Sequence, residues 1–138
     1  MSVSFFDSNV ILYLALSSSD KSLRASRLMA HGGFIKVQVL NECTNVLRTK
    51  QGRHWHDVRD FLTGLCTRFQ IEPITIAIHC SGIRLAERYG FSVYDSFIVS
   101  AALAAGCDTL WSEDMQDGLV VDNRLTIVNP FRLATPSP

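Results

Sequence analysis

Four acidic residues stand out for the chemistry they could do together. They are Asp7 closing "VSFFD", Glu42 in "VQVLNECTNVL", Asp95 in "SVYDSFIVSAALAAGCD" and Asp114 in "DTLWSEDMQDG". Donor sets made only of oxygen suit a hard divalent ion, Mg²⁺ or Mn²⁺, which keeps several of its own waters. Carboxylates converging to ~4 Å repel by about 4 kcal/mol per pair at an effective dielectric of 20. No lysine or arginine lies close enough in the sequence to pair with any of the four, so bringing them together calls for a cation. Each acid also has a plainer role. Asp95 and Glu42 could accept bonds from unpaired N–H groups at helix starts, and Asp114 lies in a turn-rich loop. Asp7 fits such a role least, because it ends a strand and opens an apolar helix, where an unpaired charge is costly.

The elements that must position these acids follow from hydrophobic periodicity. "VSFF" reads as a strand, and "SNVILYLAL" as a helix with Ser8 or Asn9 as its cap. "KSLRASRLMAH" reads as a second helix capped by Asp20, with Leu23, Leu28 and Met29 on one side and Gly32-Gly33 after it. "FIKVQVL" (34–40) alternates like a strand, leading into a helix capped by Asn41 with Glu42 at its start. A fourth helix runs from about His56 to Phe69, and "IEPIT" is an edge strand because of its proline. "IAIHCSGIRLAERYG" is helical. The helix opened by Asp95 has almost no polar face, and "DTLW" and "LTIVNPF" are strands. Alternating strands and helices predict an α/β fold with a central, mostly parallel sheet of four to five strands flanked by helices. In such sheets ligands bind beyond the carboxyl ends of the strands. Asp7, Glu42 and Asp114 each follow a strand there, and Asp95 opens a helix pointing to the same rim.

Bulk properties narrow the class. A chain of 138 residues fits one domain that buries roughly 70% of its unfolded surface. Residues 1–133 are expected to form that domain, with 134–138 a frayed tail. Lys plus Arg equals Asp plus Glu, 13 each, so any attraction to a polyanion must come from local patches. Cys43, Cys66, Cys80 and Cys107 show no CxxC spacing, and three of them sit in apolar helical patterns, as reduced core cysteines do. A reducing cytoplasm is the expected compartment. The apolar runs are too short to span a bilayer, so no membrane role is expected.

"FFDSNVILYL", "VQVLNECTNVL", "FSVYDSFIVSAALAAGCDTLWSEDMQDG" and "LTIVNPF" together resemble the PIN-domain ribonucleases, above all the toxin half of VapBC-type toxin–antitoxin pairs. The likeness covers essentially the whole chain. It implies a PIN-like domain that hydrolyses RNA phosphodiester bonds with Mg²⁺ or Mn²⁺. The family's acids fall on Asp7, Glu42, Asp95 and Asp114, with Asp7, Asp95 and Asp114 as metal ligands and Glu42 as ligand or base. Asn9 matches a polar partner of the first acid, Ser112 a hydroxyl that orients the last loop, and Asp117 an additional acid. Glu113 stands where many relatives have a neutral or basic residue. The resemblance also implies a protein antitoxin and a homodimer, for which Leu12, Leu14, Leu16, Leu28 and Met29 are apolar candidates.

A basic tract, "LRTKQGRHWHDVR", offers Arg48, Lys50, Arg53 and Trp55 for phosphate contacts and base stacking, against the plain alternative of a solvated helix end. His54 and His56 lack a third ligand nearby, His31 and His79 carry no signal, and Arg24 and Arg27 read as solvated, with an acidic or phosphate partner as the alternative. Three other readings compete. A haloacid-dehalogenase-like phosphatase needs a second aspartate where Asn9 stands, and a receiver-like domain needs adjacent early acids and a late lysine. A catalytically silent PIN-fold RNA-binding or scaffold protein would not need the intact quartet.

Overall fold

The computed structural model describes residues 2–15 and 19–132. In chain order the elements are β1 (Ser4–Phe6), α1 (Ser8–Ile11), a 3-10 turn (Leu12–Leu14), α2 (Asp20–Leu28), β2 (Gly33–Lys36) and α3 (Val37–Asn45). A π-helical stretch (Val46–Lys50) leads to α4 (Trp55–Arg68), β3 (Phe69–Glu72), α5 (Ile76–Tyr89) and α6 (Val93–Ala104). β4 (Thr109–Trp111), β5 (Val120–Val121) and β6 (Leu125–Val128) complete the chain.

The strands form one sheet in the order β3-β2-β1-β4-β6-β5. Only the β5–β6 pair is antiparallel. Successive strand residues face opposite sides, so Phe5 and Phe6 enter different cores. Phe5 joins Leu85, Val99, Leu110 and Ile127 beneath α5 and α6. Phe6 joins Val10, Met29, Ile35, Val39 and Cys43 beneath the earlier helices. The product is a helix–sheet–helix sandwich. Because β1 is flanked by β2 on one side and β4 on the other, the chain reverses direction of travel across the sheet there. That switch point is where α/β sheets open a crevice.

Two glycines permit close approaches near it. Gly33 has φ +138, and a Cβ there would lie 2.7 Å from the Ser4 carbonyl oxygen. At Gly82 in α5 a Cβ would lie 2.4 Å from Phe97 Cδ1, so α6 packs directly on the α5 backbone. α6 is buried along most of its length. Its Ser100 hydroxyl is satisfied by the Ile78 carbonyl at 2.8 Å.

Several expectations are corrected. "FIKVQVL" is not one strand: β2 stops at Lys36 and Val37 begins α3. Val39, Cys43 and Leu47 are buried at helical spacing, so packing on β2 overrides the local alternation. Asn41 therefore caps nothing, and Glu42 lies in the second turn. Asp7 itself caps α1, and Ser19, not Asp20, caps α2. Leu23 is exposed rather than packed with Met29. The sheet has six strands. The extra one is β5, paired through a turn whose Asp122 and Asn123 take φ 50 and 57, a conformation these residue types tolerate. All four cysteines are free, but only Cys43 and Cys107 are buried; Cys66 and Cys80 are exposed. Arg24 is not simply solvated, since it donates to the Pro130 carbonyl at 3.3 Å. Leu16 and the tail 134–138 lie outside the described residues. No helix among the described residues is long and apolar enough to cross a membrane.

Candidate active site

A pocket of about 440 Å³ opens at the switch point, and Asp7, Glu42, Asp95 and Asp114 all line it. Asp7 arrives at the end of β1, and its N–H is held by the Trp111 carbonyl of β4 at 3.0 Å. Glu42 comes from the second turn of α3. Asp95 sits in the first turn of α6, capped by the Ser92 hydroxyl. Asp114 comes from the loop after β4. Asn9, Ser8, Gln38 and Tyr94 complete the polar wall, with Leu12 and Ile98 as its apolar part.

Hydrogen bonds tie the acids together. Asn9 Nδ2 donates to Asp7 Oδ2 at 3.3 Å and to Asp114 Oδ2 at 3.1 Å, while its Oδ1 accepts from the Glu113 N–H at 3.1 Å. Ser8 links Asp7 to Glu42 through its hydroxyl. Ser112, fully buried, donates to Asp7 Oδ2 at 2.9 Å.

Asp7 is only 4% exposed. Burial pushes its pKa up to about 6, against the Ser112 and Ser8 donors, and the charges of Asp95 and Glu42 push the same way. A carboxylate held in this state is short of positive charge. The donor chemistry fits a hard divalent ion. Among the described residues, however, no three His, Cys, Asp or Glu side chains form a group that could hold a metal by themselves. Asn9 stands between Asp7 and Asp114, and Ser8 between Asp7 and Glu42. An ion seated in this pocket would need its own retained waters to reach all of these carboxylates.

The remaining candidates fall elsewhere. Asp117 is exposed and accepts from the Asn129 N–H at 2.8 Å, which anchors the loop; it does not line the pocket. Glu113 accepts from the Tyr13 hydroxyl at 3.0 Å and pairs with Lys21, so it braces the rim. The basic tract also stays outside the pocket. Arg48 stacks on Trp55 at 4.5 Å and donates to the Arg53 carbonyl at 2.7 Å, and Arg53 donates to the Ala15 carbonyl. Lys50 and Trp55 remain exposed. Leu12, Leu14, Leu28 and Met29 pack into the second core.

Sequence reasoning passes over Lys36 and Gln38. Lys36, 2% exposed, donates to Gln38 Oε1 at 3.0 Å and lies 5.2 Å from the Phe97 ring centroid. Burial pulls its pKa below the ordinary lysine value, with Glu42 pulling the other way. A lysine in an alternating run looks like a solvent-facing residue, so only the packing of α6 across β2 reveals it.

Solved structures share this fold. A toxin–antitoxin complex from Klebsiella pneumoniae matches with 17% identity and a TM-score of 0.72, over 92% of this chain and 97% of that one. VapC20 of Mycobacterium tuberculosis, described as a sarcin–ricin loop cleaving toxin, matches with 17% identity and a TM-score of 0.64, covering 78% and 86%. VapBC2 from Rickettsia felis, bound to a DNA fragment from its promoter, matches with 18% identity and a TM-score of 0.61, covering 81% and 88%. No curated protein sequence matches significantly. The model of the PIN domain family matches residues 4–116, a span holding all four pocket carboxylates, and the chain belongs to the PIN domain family.

Proposed function

We propose that this chain is a Mg²⁺- or Mn²⁺-dependent endoribonuclease acting as the toxin of a type II toxin–antitoxin module. One observation carries the reading: carboxylates far apart in the sequence line a single pocket at the sheet's switch point. Asp7, Asp95 and Asp114 would hold the ion, and Glu42 would bind it or take a proton from the attacking water. When bound, the ion would lower the pKa of a coordinated water and offset charge on the leaving oxygen. Asn9 and Ser112 keep Asp7 and Asp114 in register with each other. Asp95 stands in the first turn of α6, at the positive end of the helix dipole. The described toxin and toxin–antitoxin neighbours support both the RNA substrate and a protein antitoxin. For a homodimer, the support lies in the exposed apolar residues Ile74, Ile76 and Ile83 on and before α5.

The test is incubation of purified protein with total cellular RNA and Mn²⁺ or Mg²⁺, with and without chelator. Cleavage that needs the metal and is lost in Asp95→Asn supports the proposal. Absence of metal-dependent cleavage in the wild type, or full turnover in the variant, refutes it.

A further inference from the structure

The pair Lys36–Gln38 has no part in the chemistry described so far, yet its Gln38 end reaches the same pocket. Ammonium groups have donors and no acceptor, so the Gln38 atom bonded to Lys36 Nζ at 3.0 Å is its carbonyl oxygen. That contact turns the amide so that its NH₂ end points away from Lys36. Gln38 lines the pocket, and among the described residues its NH₂ donates to no protein atom. Of the other side-chain donors in the wall, the Asn9 amide is engaged with Asp7 and Asp114 and the Ser8 hydroxyl with Glu42 and Asp7, which leaves the Gln38 NH₂ and the exposed Tyr94 hydroxyl. Burying an ammonium costs stability that a methionine of similar shape would not, which weakens a plain packing role for Lys36.

RNA entering a pocket of carboxylates brings phosphate oxygens that need donors facing them. We infer that Gln38 contacts the substrate, its amide NH₂ donating to a non-bridging phosphate oxygen, and that Lys36 is a positioning residue acting through Gln38. This rests on the ribonuclease reading.

The test starts from the fragment of total RNA that the wild type cleaves fastest, and measures kcat and KM on that fragment. Gln38→Leu keeps the bulk and removes the donor. It raises KM about tenfold, the scale of one hydrogen bond to a charged group, with kcat changed less than about threefold. Lys36→Met raises KM in the same direction. The double variant is no worse than Gln38→Leu alone, because residues acting through one another are non-additive. Unchanged KM in Gln38→Leu overturns the inference, and so do effects that multiply in the double variant. Lys36→Met that lowers only the melting temperature overturns the role of Lys36. Should Lys36→Met not fold, Gln38→Glu decides: a carboxylate facing phosphate raises KM beyond Gln38→Leu, and no rise refutes the contact. If the wild type cleaves nothing, the ribonuclease reading itself has failed. Cleavage with unaltered KM in the Gln38 variants sinks this inference alone.

Discussion

Asp7→Asn should stabilise the metal-free protein at neutral pH. The Asp7 carboxyl has a pKa of about 6 in the folded chain against an ordinary value of 3.8, chiefly because it is buried. A raised pKa means that the folded state holds its proton more tightly than the unfolded one. The stability this contributes is complete below about pH 4 and is lost as pH rises through 6. The loss amounts to about 3 kcal/mol at neutral pH. The amide of the variant does not titrate, so it escapes that loss. It gives up part of the bonding from Ser112, Asn9 and the Ser8 N–H, which costs about 1 kcal/mol or somewhat more. The net gain is about 1–2 kcal/mol, on the order of 5 °C in Tm for a chain of this size. Thermal melts across pH 4–8 in chelator would show the variant above the wild type near neutrality, with the gap closing toward pH 4. Added Mn²⁺ reverses the order: at about a hundredfold excess over Kd it lifts the wild type by roughly 2.7 kcal/mol, and lifts the variant far less. A variant less stable than wild type at every pH, or equal Mn²⁺ shifts in both proteins, would refute the reasoning.

Asp95→Asn leaves the melting curve near wild type and lowers metal-dependent RNA cleavage by about 10²-fold or more, checked by cleavage assays alongside circular dichroism. Ser112→Ala removes the hydroxyl that steadies the ionised Asp7; titration calorimetry should show Mn²⁺ affinity falling by about tenfold. Gly82→Ala drives a methyl against Phe97 and costs about 1–3 kcal/mol in denaturant melts, and an unchanged midpoint would contradict the close α5–α6 contact.

How far the fold could be read from sequence varied with how local its causes were. Asp7 was legible because "VSFF" is short, apolar and abruptly ended, and Asp95 because a charge opens an otherwise apolar helix. Residues 37–40 were not, since Val37, Val39 and their polar neighbours satisfy strand alternation locally, while the helix they form depends on burial against β2 and the earlier helices. Lys36 stayed hidden for the same reason: its burial is imposed by α6, far along the chain. The basic tract is the opposite case. Its arginines look available, but Arg48 and Arg53 bond carbonyls of the Arg53 and Ala15 backbone. Such long-range pairings leave no periodic trace. The convergence of the acids, by contrast, was accessible from their repeated position after strands.

The burial of α6 has an evolutionary corollary. Asp95 rides on a helix whose Ile98, Val99, Ala101 and Ala102 belong to the main core, so the proposed reactive centre and the thermal robustness of the chain are inherited together. Drift in that helix would be felt in both at once. On the proposed ribonuclease reading, divergence toward new targets is channelled to positions with little core commitment, such as Tyr94, which lines the pocket and is 67% exposed. Related chains would be expected to differ in what they cut mainly through such rim residues, while sharing how they cut it.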